Sequence, residues 1–240
     1  MKRYDNNSVL IIPDTHAPYH HPDTIPFLTA VKKRYRPDRV FHAGDWTDSY
    51  CFSRFPKDPD MKDTFTTEYK AVLKFTERLV ELFPEGTLLK GNHDVRAYER
   101  AKVAGIPRGL MIPYEQMIGL DKADWKLTWD YTFTVDANRS KWYISHTKSA
   151  NAFATAKLLG MSVVFGHNHT MFKVESFQSI NKRIYGVNVG CLIGDDRYAF
   201  GYNKQSIIRP NRGCVVILRG IPRLVPFDVG PGGRWNKVVI

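Results

Sequence analysis

Short apolar runs alternate with amphipathic stretches through roughly the first hundred residues, and every run stops in a polar loop. Ser8-Val9-Leu10-Ile11-Ile12, ended by Pro13, reads as a buried strand. Asp23 to Tyr35 predicts a helix with Pro26 in its first turn. Pro37-Asp38 is a turn before a second strand, Arg39 to Ala43. Residues 46–66 are loop-like. Glu68 to Phe83 then has the spacing of an amphipathic helix (Val72, Phe75, Leu79, Leu82), closed by Pro84 and Gly86. Thr87 to Lys90 is a third strand, and Val95 to Lys102 a short helix. Strands joined through helices are the units of a parallel sheet.

From Trp125 the pattern changes. Leu127–Phe133, Lys141–Ser145, Ser162–Phe165, Phe172–Phe177, Arg183–Val189 and Cys214–Leu218 read as strands, with one clear helix, Asn151–Leu159, among them. Two packed sheets with helices outside are expected. An apolar fraction of 43% supports a buried core. With no repeat or low-complexity linker, residues 1–240 are expected to form a single domain. No apolar run approaches the roughly 18 residues of a membrane span. The basic start, Met1 to Asn7, lacks an apolar core and a cleavage site, so no signal peptide is read. The Asn-x-Ser matches at Asn6 and Asn138 then carry no weight. Cys51, Cys191 and Cys214 are scattered and odd in number, which favours packing roles over disulfides and a cytoplasmic location.

The polar strings that follow the strands carry the chemistry. They are Asp14-x-His16, Gly44-Asp45-x-x-Asp48, Gly91-Asn92-His93-Asp94, a lone His146, and Gly166-His167-Asn168-His169. Taken alone, Asp14-x-His16 is a turn Asp beside a surface His, and His146 a strand-end histidine. All five in this order, each after a strand, point to one site, because ligands in open α/β sheets bind outside the carboxyl ends of strands. Asp and His are oxygen and nitrogen ligands for Mn2+, Fe or Zn2+. One Asp can bridge two cations, which about 3.5–4 Å apart would polarise a phosphoryl group and acidify a bound water. The glycines at 44, 91 and 166 are expected to let the backbone turn sharply.

These strings resemble the signature of the calcineurin-like metallophosphoesterase superfamily: D-x-H, G-D-x-x-D, G-N-H-D/E, H and G-H-x-H. The match runs from residue 14 to 169, and the resemblance implies an α/β fold, a four-layer αββα sandwich of two mixed sheets flanked by helices. It further implies one metal held by Asp14, His16, Asp45 and His169, and a second by Asp45, Asn92, His146 and His167. His93 would act on the scissile bond as general acid, oriented by Asp48, with in-line attack by a metal-bridging hydroxide. Two divalent ions are implied, Mn2+ first, with Fe, Zn2+ or Mg2+ as alternatives. The protein Ser/Thr phosphatases of the family read G-D-x-x-D-R-G and R-G-N-H-E. Here Ser49 and Tyr50 follow Asp48, Lys90 precedes Gly91, and Asp94 replaces Glu, so the arginines that grip phosphate have no counterpart.

Secondary features bear on the substrate. The formal charge is +11, and residues 181–240 hold 10 Lys/Arg against 3 Asp/Glu, so a basic face, if present, is C-terminal. Arg197 to Lys204, followed by Arg209 and Arg212, interleaves cations with aromatics, a mixture suited to bases and phosphates or to an edge hairpin. Arg96, Arg197, Tyr202 and Lys204 are the candidate substrate-binding residues. Arg96 and Arg100, at i and i+4, are weighed against a solvated helix face. Trp46, Tyr50, Phe52 and Phe55 form either a pocket wall or loop packing. His20, His21 and His42 match no motif and are expected to be surface or near-site spectators. The expected function is a phosphodiesterase or nuclease acting on DNA, RNA or a nucleotide. The alternatives are a phosphomonoesterase (small-molecule or protein phosphatase), a non-catalytic scaffold, or a DNA-binding protein with a structural metal. No membrane partner is expected, and no protein partner can be read.

Overall fold

A computed structural model describes residues 8–135, 140–146, 151–194 and 209–239. Its first half follows the apolar runs. β1 (Ser8–Ile12) leads to α1 (Thr24–Tyr35), β2 (Arg39–His42), α2 (Phe65–Leu82) and β3 (Glu85–Leu89). After β3 come α3 (Arg96–Val103), the one-turn α4 (Tyr114–Met117) and β4 (Asp124–Thr128). The second half holds β5 (Asp130–Val135), β6 (Ser140–Ser145), α5 (Ala152–Leu159), β7 (Ser162–Phe165), β8 (Phe172–Gln178), β9 (Arg183–Val189), β10 (Gly213–Leu218) and β11 (Ile221–Pro226). Short 3-10 turns cover Tyr50–Phe52 and Arg108–Leu110.

Two mixed sheets result, ordered β11-β10-β1-β2-β3-β4 and β5-β6-β7-β9-β8. β1 to β4 run parallel, while β10 joins β1 antiparallel and β11 joins β10 the same way. The lack of alternation in β1 has a packing cause. Val9 and Ile11 face the second sheet, among Phe41, Trp142, Ile144, Val164, Val187 and Val215. Leu10 and Ile12 face the helical layer, with Phe27, Leu28, Val72, Phe75 and Leu79. A central strand covered on both faces has no polar side to show. Each fully buried aliphatic contributes roughly 1.5–3 kcal/mol over an exposed one. On the far side of the second sheet, Ala152 and Ala156 of α5 lie on Val163, Phe165 and Ile184. The layers are helix, sheet, sheet, helix.

Two expectations change, and the structure adds two features the sequence reading did not contain. Leu127–Phe133, read as one strand, is the end of β4 and the start of β5, which belong to different sheets. The chain crosses between layers at Trp129, and uninterrupted strand-like composition hides the break. α2 starts three residues earlier than Glu68, because Thr64 and Thr67 form a reciprocal capping box that lacks the usual Glu or Gln. β11 was not expected, since Pro222 and Pro226 argue against a strand; both sit on a sheet edge, where a missing N–H is tolerated. Its two-residue turn, Arg219-Gly220, has φ of 51° and 76°, the geometry that matches strand twist in tight hairpins. β10 and β11 return to the first sheet, so strands from both halves of the chain build it.

Among the described residues no helix is long and apolar enough to cross a membrane. None of the cysteines forms a disulfide; Cys191 and Cys214 are buried and Cys51 half-buried.

Candidate metal centre

Asp14 and His16 follow β1, Asp45 and Asp48 follow β2, Asn92 and His93 follow β3, His146 follows β6, and His167 and His169 follow β7. Because the strands end side by side, these loops meet. Asp45 O accepts from the backbone N–H groups of Thr15 (3.2 Å) and His16 (2.9 Å), joining the first two loops. His93 N donates to Asp45 Oδ1 at 2.8 Å, joining the second and third. His167 N donates to Asp14 Oδ2 at 3.1 Å, bringing in the loop of the other sheet.

The backbone is bent hard here. His16, Asp45 and His167 have φ of 47°, 50° and 73°. Left-handed backbone at a non-glycine residue costs of order 1–3 kcal/mol and persists where surrounding contacts enforce it, commonly at functional sites. The motif glycines have two different causes. Gly44, at φ 102°, makes the sharp turn expected of it. Gly91 instead allows close approach, since a Cβ there would lie 2.0 Å from Asp45 Oδ1.

Ligand-type atoms gather in three groups; two share Asp45, and the third is His16, Asp48 and His93. Asp14, His16, Asp45 and His169 each offer one atom, all within 4.8 Å of one another, and so do Asp45, His146 and His167. In the first group His169 Nε2 lies 3.0 Å from Asp14 Oδ2 and 3.2 Å from His16 Nε2. In the second, His146 Nε2 lies 3.2 Å from Asn92 Oδ1 and 3.3 Å from His167 Nδ1. Asp45 Oδ2 stands between them, 3.4 Å from His16 Nε2 and 3.2 Å from His146 Nε2. Donors bound about 2.1 Å from a common ion are themselves roughly 3.0–3.5 Å apart, so these spacings fit the edges of coordination polyhedra. The outward nitrogens are set from behind. His16 Nδ1 donates to Asp48 Oδ2 (2.8 Å) and His146 Nδ1 to Ala43 O (2.9 Å), which turns each Nε2 inward.

The charges call for cations. Burial opposes ionisation of Asp14, but His146, then the bond with His169, hold it below the ordinary carboxylate range. Burial likewise opposes Asp45, which His146 and His93 hold well below that range. Against burial, Asp45 and Asp48 draw His16 up to about 10, and Asp45 and Asp14 draw His146 up to about 9. Buried carboxylates thus pull positive charge onto His16 and His146, a charge that a divalent ion would supply instead, while burial holds His167 and His169 below the ordinary imidazole range. An oxygen- and nitrogen-rich set with no thiolate suits Mn2+, Fe or Zn2+.

His93 lies beside the two groups that share Asp45. Its Nδ1 is 3.0 Å from Asp48 O and 3.3 Å from Asp48 Oδ2, and its Nε2 is 3.0 Å from Arg96 Nη2. Arg96 also donates to Asp48 O at 2.9 Å, so it folds onto the site and does not occupy a solvated helix face. Arg100 turns back to Phe52 O (2.9 Å) and Ser53 O (2.6 Å), a structural tie. Of the aromatics after Asp45, Trp46 and Tyr50 are buried in packing, Phe52 is half-buried and Phe55 is 64% exposed. Arg197, Tyr202 and Lys204 lie outside the described residues.

Of the remaining histidines, expected as surface or near-site spectators, His20 is half-buried and the other two are buried. His21 is buried, its Nε2 3.0 Å from Gly233 O. His42 is fully buried under the site, its Nε2 3.1 Å from Thr15 Oγ1, and burial pushes it down to about 3. Both frame the site's surroundings by their hydrogen bonds.

Residues 8–184 match the family model of calcineurin-like phosphoesterases. The chain belongs to that family. The αββα arrangement agrees with solved structures. Vps29 of Chaetomium thermophilum superposes with a TM-score of 0.53 at 13% identity, over 98% of this chain and 94% of that one. Yfce, a phosphoesterase from E. coli, gives a TM-score of 0.51 at 11% identity, over 97% and 96%. At such identities the likeness concerns the fold of this calcineurin-like phosphoesterase and no more. No curated protein sequence matches the chain.

Proposed function

We propose that residues 1–240 act as one catalytic domain, a two-cation phosphodiesterase whose substrate is a nucleic acid or nucleotide. The observation that carries this reading is the position of Asp45 Oδ2 between His16 Nε2 and His146 Nε2, with Oδ1 occupied by His93 N. One ion is assigned to Asp14, His16, Asp45 and His169, the other to Asp45, Asn92, His146 and His167. Mn2+ is the first choice of metal. When bound, the two cations would supply Lewis-acid polarisation of the phosphoryl group and acidify water.

The protein's own residues supply the rest. Asp48 holds the His93 ring through Nδ1, so Nε2 is the atom that carries a proton to the leaving oxygen. In the resting arrangement Arg96 occupies Nε2. Proton delivery then requires the guanidinium to leave the ring, and a phosphoryl oxygen is the partner that attracts it. Among the described residues Arg96 alone brings a guanidinium to His93, where the protein phosphatase motifs have more, which favours a singly charged diester over a dianionic monoester. The net charge of +11 favours a polyanion.

Two alternatives remain in play. A phosphomonoesterase would use the same cations. A binding role without catalysis is the second alternative; the complete set of ligand-type groups and His93 counts against it. The expected outcome is hydrolysis of bis-p-nitrophenyl phosphate with Mn2+, abolished by chelation and by Asp45→Asn, and reduced about 10²–10⁴-fold by His93→Ala. Activity surviving chelation would refute the metal reading. A panel of single- and double-stranded DNA, RNA, cyclic nucleotides, a monoester and a phosphopeptide separates the substrate classes. Turnover of DNA should fall steeply with salt, and a monoester preference would replace the diester reading.

A further inference from the structure

Asp94 closes the third motif and is 3% exposed. Its hydrogen-bond partners among the described residues are all neutral. Oδ2 accepts from the backbone N–H of Gly91 at 2.8 Å. Oδ1 accepts from Thr47 N at 3.1 Å, from Thr47 Oγ1 at 3.3 Å, and from the hydroxyl of Tyr114. That hydroxyl also lies 3.0 Å from Thr47 Oγ1. Tyr114 starts α4, 20 residues after Asp94, and no motif includes it.

The placement adds to the bonds that already join these loops, from His93 N to Asp45 Oδ1 and from His93 Nδ1 and Arg96 to Asp48 O. β2 and β3 pair through Phe41↔Thr87 and His42↔Leu88 alone, and both loops begin beyond that ladder. Thr47 sits between Asp45 and Asp48, while Gly91 and Asp94 flank Asn92 and His93. The Asp94 carboxylate therefore grips the loop after β2 and the loop after β3 at once, and Tyr114 holds the carboxylate. A shift between the loops would move Asp45 Oδ2 relative to Asn92 and His146, whereas donor spacings at a metal tolerate errors of only about 0.2 Å.

We infer that Tyr114 is a positioning residue, which through Asp94 sets the distance across which Asp45 bridges the two ion sites. This rests on the two-cation reading. Partners one step behind metal ligands typically change metal affinity or activity by about 10–100-fold when removed. Calorimetric titration with Mn2+ alone, without substrate, is the test. Wild type should bind two ions, and Tyr114→Phe should weaken the second by about 10-fold or more, with Asp94→Asn acting in the same direction. Turnover of bis-p-nitrophenyl phosphate by Tyr114→Phe should fall in kcat at unchanged KM. Leu28→Ala, a core variant in α1, should lower Tm yet bind both ions as wild type does. A Tyr114→Phe protein with wild-type Mn2+ affinities overturns the positioning role, even if its Tm is lower. A wild-type protein that binds no Mn2+ overturns the two-cation reading itself and the inference with it.

Discussion

Asp48 Oδ2 lies 2.8 Å from His16 Nδ1 and 3.3 Å from His93 Nδ1, and Arg96 adds a contact to Asp48 Oδ1 at 3.3 Å. One carboxylate thus orients a ligand-type imidazole and the imidazole proposed to move the proton. Arg96 is the most exposed member of this group, its side chain 19% exposed against 13% for His93 and 1% for Asp48. If it engages the phosphoryl group, Arg96→Ala should lower kcat/KM by about 10–100-fold, the size of a charge-assisted hydrogen bond, and leave Mn2+ binding unchanged. Unaltered kcat/KM would reduce Arg96 to a strut. At this scale the strings of Asp, Asn and His were readable, because strand ends put each within a few residues of the site. Thr47 and Tyr114 were not. Their roles depend on which backbone lies next to Asp94 in three dimensions, and neither carries a residue type that marks a site on its own.

At the scale of elements, the N-terminus of α1 shows how a local signal can be redirected. Asp23 has the residue type and position of a helix cap but makes no side-chain cap bond. Its carboxylate instead accepts from Arg234 Nε at 2.7 Å and Trp235 N at 3.0 Å, pinning the C-terminal segment over Phe27 and Phe227. The bond from Arg234 chiefly holds Asp23 below its unfolded value of 3.8. A depressed folded value means stability that is present above the unfolded value and lost as pH falls through the folded one. Asp23→Asn should therefore melt below wild type from pH 7 to about 5. The two Tm curves should converge as pH drops below about 4, and a gap that persists undiminished in acid would rule out the ion pair as its source. The elements themselves were legible wherever one period held over a full helix or strand, as in α2 and β1. They were misread at β4, β5 and β11, where a change of sheet or an edge position, not composition, decides the outcome.

Across the whole molecule, the two sheets place their strand ends along one rim, so ligand-type groups from β1, β2 and β3 of the first sheet meet those from β6 and β7 of the second. The layered fold was foreseeable from parallel units followed by strands. The return of β10 and β11 to β1 was not, because pairing across some 200 residues leaves no local trace. The account stands on that rim enclosing a pair of ions around Asp45. Anomalous diffraction from crystals grown with Mn2+ measures this directly. Two manganese peaks roughly 3.5–4 Å apart, with Asp45 Oδ2 between them and one peak lost in Asp45→Asn, is the predicted result. A single peak away from Asp45, or none at saturating Mn2+, would contradict it.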